Sequence, residues 1–290
     1  MKKLFRWLLR IFLYFTSVGI GVFLVVCTFI YLNQEKVIFF AERLPSDYQF
    51  RFANAIERDY SPAPGVRLNA LLFKNDQHNR KRGLIFYLHG NTGSLRTWGG
   101  IVKPLTHYGY DVLVFDYRVF GKSKGKLNEE VLLNDADYVY QQIIKEYPEN
   151  KVVVYGRSLG SGLAAYVASK HSPKMLILET PYYSMLDLSK NLGQEYNIPW
   201  FPYEWVLKYH LRTDLYLPKV SCPVYLFHGQ LDELIYYESS QKLMRFFKKR
   251  DILFTIPDGK HADLSLHDEF TKNLKKVLKG QLSSKQSSMR

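Results

Sequence analysis

Apolar and polar positions divide the chain into one long uncharged run and a series of short ones. Ile11 to Leu32 comprises 22 consecutive residues without a charge, long enough as a helix, at about 1.5 Å per residue, to cross roughly 30 Å of hydrocarbon. The pattern predicts a membrane anchor over 11–32, with residues 1–33 forming a basic entry and the anchor. A secretory signal has a shorter apolar region, about 7–15 residues, followed by a small-residue cleavage site. This run is longer and ends in Tyr31-Leu32-Asn33-Gln34-Glu35. No second uncharged run of 18 residues follows, which points to a single-span protein rather than a channel or transporter.

Beyond an aromatic-rich lead-in over 34–65, whose shape the pattern does not fix, short apolar runs recur at 66–73, 84–90, 111–116, 151–156, 174–179, 223–229 and 251–259. Each has the length and β-branched or aromatic content of a strand. Helix-length segments at about 97–108, 128–147, 159–171, 236–249 and 267–279 separate them. Successive parallel strands need such crossovers, so the alternation predicts an α/β domain over 66–280, with a mostly parallel sheet and helices on both faces. The polar stretch 76–83 reads as a turn. The segment 182–221 is too long for a tight connection and is crowded with Tyr, Trp and Leu, which suggests a lid over a pocket or, more plainly, an inserted helix extending the core. The polar end, 281–290, has no apolar period and is expected to fray.

Composition and charge refine this picture. The chain has 290 residues with 47% hydrophobic content, far too apolar for a disordered protein. Forty Lys and Arg against 27 Asp and Glu give a net charge of +13. Lys2, Lys3, Arg6 and Arg10 precede the anchor, and the positive-inside rule keeps that end in the cytoplasm. The domain is then expected on the opposite face, the periplasm if the source is bacterial. Other cations crowd 246–250 and 272–280, where they fit solvated or membrane-facing helix surfaces. No zinc-finger spacing, RRM-like motif or arginine-rich recognition helix accompanies the charge, so nucleic acid is not an expected partner. The two cysteines, Cys27 and Cys222, lie in different environments and are not expected to pair.

The sharpest chemical signal is Gly156-Arg157-Ser158-Leu159-Gly160, between an apolar strand and a helix rich in Ala and Gly. A serine on a strand-to-helix turn holds its hydroxyl clear of the sheet, and glycines on either side give the clearance. A second copy, Gly121-Lys122-Ser123-Lys124-Gly125, lacks that strand and helix, and Ser123 is read as structural. A phosphate-loop reading of Gly121-Lys122-Ser123 fails because Asp116 stands where the loop needs its first glycine.

A serine hydroxyl needs an imidazole to take its proton and an acid to orient that imidazole. His261, after the last predicted strand and a glycine turn, is the best base, with His267 in reserve. His89 and His228, at strand ends, read as structural imidazoles. Asp232, just past a strand, is the candidate acid, with Glu233 as fallback. The order Ser158, Asp232, His261 suits this architecture. Two backbone N–H groups are needed for the oxyanion: that of Leu159, and one from the loop at 88–96, either Asn91 or Thr92.

The motifs Leu-His-Gly-Asn-Thr-Gly-Ser, Asp-Tyr-Arg-Val-Phe-Gly-Lys-Ser-Lys-Gly, Gly-Arg-Ser-Leu-Gly-Ser-Gly, Leu-Ile-Leu-Glu-Thr-Pro-Tyr-Tyr-Ser and His-Gly-Gln-Leu-Asp-Glu-Leu-Ile occur in that order. With them the sequence resembles alpha/beta hydrolases, particularly the single-span membrane branch that includes lysophospholipid and monoacylglycerol lipases and protein palmitoyl thioesterases. The resemblance covers about 66–280. It implies Ser158 as nucleophile, Asp232 as acid, His261 as base, and Asn91 with Leu159 as oxyanion-hole residues. Val119 and Phe120 replace a Gly-Tyr pair of the family's structural loop, a departure expected to remove one flexible backbone position.

The expected function is hydrolysis of carboxylic esters or thioesters, acyl or lipid-like, through an acyl-enzyme. A peptidase or amidase on the same scaffold and a non-catalytic envelope interaction protein are the rivals. No cofactor is expected, and without a His-Glu-x-x-His motif neither is a catalytic metal.

Overall fold

The computed structural model describes residues 2–75 and 82–282. The turn expected at 76–83 and the tail expected at 281–290 lie largely outside the described residues. Helix α1 (Lys2–Ile38) is followed by a two-residue strand β1 (Phe40–Ala41), then β2 (Ala55–Tyr60), β3 (Leu68–Phe73), β4 (Leu84–Leu88) and a second short strand, β5 (Thr92–Gly93). Helix α2 (Leu95–Val102) leads through a tight 3₁₀ turn to β6 (Asp111–Phe115), α3 (Glu129–Glu146), β7 (Val152–Arg157), α4 (Leu159–Lys170) and β8 (Met175–Glu179). The chain continues through α5 (Met185–Glu195), α6 (Tyr203–Val206), α7 (Thr213–Tyr216), β9 (Val224–Gly229), α8 (Glu238–Leu243), β10 (Ile252–Ile256) and α9 (Asp268–Lys279).

Eight strands form one sheet in the order β10-β9-β8-β7-β4-β6-β3-β2. The pairings from β10 to β6 are parallel, and β3 and β2 join antiparallel at one edge. The central strands are apolar throughout because both faces are covered. Leu84, Phe86 and Leu88 enter a core with Leu163 and Ala164 of α4. Ile85 and Tyr87 of the same strand enter the opposite core with Trp98 of α2 and Phe270 of α9. This alternation is the two-residue period of a strand expressed as two hydrophobic layers.

The lead-in is more ordered than its composition suggests. Helix α1 continues beyond the uncharged run to Ile38. Strand β1 pairs with β5, Phe40 with Thr92 and Ala41 with Gly93, while β2 forms the sheet's edge, Ala55 opposite Phe73 and Tyr60 opposite Leu68. The large hydrophobic side chains of α1 are mostly exposed along 4–37, so this one apolar helix fits a single-pass anchor. Both cysteines are free.

The stretch 182–221 divides by environment. Tyr182, Tyr209, Leu211, Leu217 and Val220 are buried in the core, whereas Tyr196, Trp200 and Trp205 are exposed. One part extends the core and the other stands out from it.

Close approach dictates two glycines around the β7–α4 turn. A Cβ at Gly156 would meet the Gly160 carbonyl oxygen at 2.3 Å, and one at Gly160 would meet the Leu88 carbonyl oxygen at 2.0 Å. Gly160→Ala is therefore expected to lower stability by about 1–3 kcal/mol through overpacking. Gly100→Ala, on α2 with open space around it, is expected to raise stability by roughly 0.5–1 kcal/mol. Urea unfolding of both variants checks the contrast; equal effects would contradict the packing argument.

Candidate active site

Ser158 sits between β7 and α4 with φ 52° and ψ −121°, a left-handed conformation that is sterically costly for a residue with a Cβ. The strain is held by the backbone on both sides, since Ser158 N–H donates to Glu179 O at 2.9 Å and Ser161 N–H to Ser158 O at 2.9 Å. The turn aims the side chain at His261, whose Nε2 lies 3.1 Å from Ser158 Oγ. His261 Nδ1 lies 2.9 Å from Asp232 Oδ2 and 3.1 Å from Oδ1. A carboxylate only accepts, so Nδ1 carries the proton and Nε2 is left with a lone pair facing the serine. An imidazole so held can take the hydroxyl proton.

Asp232 follows β9 and is 4% exposed. Burial alone would raise its pKa, but hydrogen bonds and charge from His228 and His261 hold it well below the ordinary carboxylate range. Its Oδ1 also accepts from the N–H groups of Leu234 at 3.0 Å and Ile235 at 2.8 Å. His228 does more than the structural role expected of it. Its Nε2 lies 3.2 Å from Asp232 Oδ2 and 2.7 Å from Ile235 O, while its Nδ1 lies 2.6 Å from Ser240 Oγ. With two acceptors at Nε2 the proton belongs there, so His228 donates to the same carboxylate that accepts from His261.

Arg157 is a second contributor that the motif alone does not reveal. Its guanidinium pairs with buried Glu179 at 3.1 Å and donates to Ala262 O at 3.1 Å, tying the strand end to the His261 loop. Tyr155 Oη donates to the other oxygen of Glu179 at 2.6 Å. The signal for both Arg157 and His228 is spatial, since their partners are distant or their orientation depends on the turn after β9.

Asn91 and Leu159 flank the serine from two elements. Leu159 opens α4, where the first N–H groups have no intrahelical acceptor. Among the described residues, neither the Leu159 nor the Asn91 backbone N–H is taken up by a hydrogen bond. The Asn91 loop is fixed from outside the sheet: Asn91 Nδ2 donates to Ile38 O at 2.7 Å, and Phe40 N–H donates to Asn91 O at 2.8 Å. Gly90 brings this loop against the serine, for a Cβ there would lie 3.7 Å from Ser158 Cβ. Thr92, the alternative to Asn91, pairs with Phe40 in β5.

The reserve candidates are placed otherwise. His267 pairs with Asp263 at 3.3 Å. Glu233 is exposed and accepts from the His261 backbone N–H at 3.4 Å, not from the ring. Ser123 is buried; its Oγ donates to Asp116 O at 2.7 Å and accepts from Asn69 N–H at 2.8 Å, stitching a loop to β3. Val119 adopts φ 73°. Valine takes the left-handed conformation there despite its β-branch. The adjoining residues hold the turn, with Gly121 N–H donating to Glu42 O at 2.7 Å and Leu44 N–H to Gly121 O at 3.0 Å.

Sheet order, strand-to-helix turn and the serine, histidine and aspartate gathered beyond the strand ends together define an alpha/beta hydrolase architecture. The sequence pattern of the alpha/beta hydrolase fold matches residues 83–207. Protein R595 of Acanthamoeba polyphaga mimivirus is 30% identical over 225 residues, covering 71% of this chain and 74% of that protein. The Danio rerio lysophosphatidylserine lipase ABHD12 is 30% identical over 178 residues, 55% of this chain and 46% of the lipase. The chain thus spans about half the length of that lipase. The Pyrococcus furiosus esterase Pf2001 superposes with a TM-score of 0.64 at 19% identity, covering 85% of this chain and 98% of the esterase. The chain belongs to the alpha/beta hydrolase family.

His89 is a structural imidazole of this site's floor. It is buried, stacked on Tyr117 at 4.1 Å and Trp98 at 5.4 Å, and burial pushes its pKa down to about 4 from 6.5. The unfolded chain therefore binds more protons between those values, and stability is lost as pH falls from about 6.5 through about 4. The melting temperature of the wild type should drop across this window, and His89→Gln should flatten the drop. An unchanged slope in the variant would assign the acid sensitivity elsewhere.

Proposed function

We propose that the chain is a membrane-anchored serine hydrolase that cleaves carboxylic esters or thioesters through an acyl-enzyme. The observation that carries this reading is the unbroken hydrogen-bonded chain from Ser158 through His261 to Asp232. Ser158 Oγ attacks the acyl carbonyl as His261 Nε2 takes its proton. Asp232, held by His228 and its own turn, keeps the imidazole in the required tautomer and stabilises the imidazolium. The N–H groups of Leu159 and Asn91 donate to the oxyanion of the tetrahedral intermediate. His261 then gives its proton to the leaving oxygen or sulfur as the acyl bond to it breaks. A water attacks the acyl-enzyme with His261 again as base, and the acid leaves as Ser158 recovers its proton.

An acyl, lipid-like substrate is favoured by the apolar helix and by the exposed aromatic side chains of 196–205. The lipase relatives support the same class, with a lysophospholipid as one member of it. Four cations ahead of the uncharged run favour an N-terminus in the cytoplasm and the domain on the opposite face, the periplasm in a bacterium.

A fluorophosphonate probe should label the wild type but not Ser158→Ala, and the variant should lose roughly 10⁴-fold or more in ester hydrolysis. Equal labelling of both chains, or none of a folded wild type, would sink the assignment. For orientation, a periplasm-dependent phosphatase fused after residue 60 in a bacterial host should be active. A reporter active only in the cytoplasm would reverse the topology.

A further inference from the structure

Helix α1 does not end where its uncharged run ends. Past Leu32 its face continues through Gln34, Val37 and Ile38, in helical register with Ile30. That face forms one wall of a groove of about 350 Å³ whose other wall is the outer part of the insert, including Met185, Leu192 and Phe201. The volume lies at the lower end of the range for ligand pockets, about 300–1,000 Å³.

Two polar side chains on the lining, Gln34 and Tyr203, are already occupied. Gln34 is buried, with Nε2 donating to Val206 O at 2.9 Å and Oε1 accepting from the N–H groups of Lys208 at 2.7 Å and Tyr209 at 3.1 Å. Tyr203 Oη donates to Ile198 O at 3.0 Å. Most of the lining is apolar, and an occupant gains most there by bringing an aliphatic chain.

The two ends of the groove identify where such a chain comes from and where it goes. The insert reaches down along α1 as far as Phe23, whose ring lies 6.2 Å from that of Trp200 and 6.3 Å from that of Phe201. Phe23 is nine residues inside the end of the uncharged run, which is about 13 Å along a helix, nearly half of a roughly 30 Å hydrocarbon layer. Trp200 and Trp205 are 69% and 85% exposed, as suits aromatic side chains meeting lipid at the interface. At the other end lies Ile38, whose carbonyl accepts the Asn91 side chain in the loop packed beside Ser158.

We propose that this groove is an acyl-chain site entered sideways from the bilayer. One aliphatic chain of a membrane-resident ester passes between anchor and insert, lies along the Ile30 to Ile38 face, and presents its carbonyl end toward Ser158. The anchor is thereby a wall of the substrate site. This rests on the serine hydrolase reading, which the test reads separately.

The full chain in phosphatidylcholine vesicles is assayed with p-nitrophenyl acetate and p-nitrophenyl laurate, alongside two variants that fill the groove from opposite walls, Val37→Trp and Ser189→Trp. The laurate-to-acetate ratio of kcat/KM should fall tenfold or more in each. Fluorophosphonate labelling reads the serine and the integrity of the fold in every chain, so a variant that fails to fold is set aside and the other decides. Labelled variants with the wild-type ratio, or a wild type that cleaves acetate but not laurate, overturn the groove alone. A folded wild type that is not labelled overturns the hydrolase reading and the groove with it.

Discussion

Between β7 and α4 the backbone passes through Ser158 in a conformation that costs it energy, and the helix starts so close to the sheet that no side chain fits at Gly156 or Gly160. This one approach organises much of what surrounds it. It brings the first turn of α4 against Leu88 and His89, so the loop after β4 is brought beside the serine. It also directs Ser158 Oγ away from the sheet toward His261, and leaves the Leu159 N–H at the head of a helix without an intrahelical acceptor. Strain of this kind persists only where the surroundings over-determine it. Here they are the parallel ladder on both sides of β7 and the buried Glu179 and Tyr155 with half-buried Arg157 beneath the turn.

Asp232 and His261 are held by different means. Asp232 sits in a turn that supplies two backbone donors, and a second imidazole approaches it from the strand before. His261 lies on the loop after β10, and Arg157 reaches across from the serine's own strand to the next carbonyl in that loop. Residue x of the Gly-x-Ser-x-Gly sequence thus links the two loops that must agree in position.

Strands buried on both faces were legible because burial leaves an unbroken apolar run. Ser158, Asp232 and His261 were legible because each follows such a run at the same end of the sheet. Strand β2 was not: Ala55–Tyr60 is an edge strand with Glu57, Arg58 and Asp59 in its middle, and its pairing with β3 is a tertiary fact that local alternation does not encode. Strand β1 has only two residues, too few for any period. The continuation of α1 to Ile38 was hidden for a related reason. Gln34, Glu35 and Lys36 read as the polar end of an anchor, yet Gln34 is buried by hydrogen bonds to residues more than 170 positions away. His228 looked like a satisfied core histidine, and it is satisfied; what the sequence could not convey is that one of its partners is Asp232.

The end of α1 belongs to two assemblies at once. Ile38 and Phe40 are bonded to Asn91, while Gln34 and Glu35 are bonded to the segment 206–209. Whatever favours the observed seating of the helix therefore favours the observed loop beside Ser158, and by thermodynamic reciprocity whatever tightens that loop favours the seated helix to the same degree. With the first helix in lipid, as proposed, the bilayer would act as a bound effector of the loop, and a change in membrane thickness or composition would become a term in the free energy of the site itself.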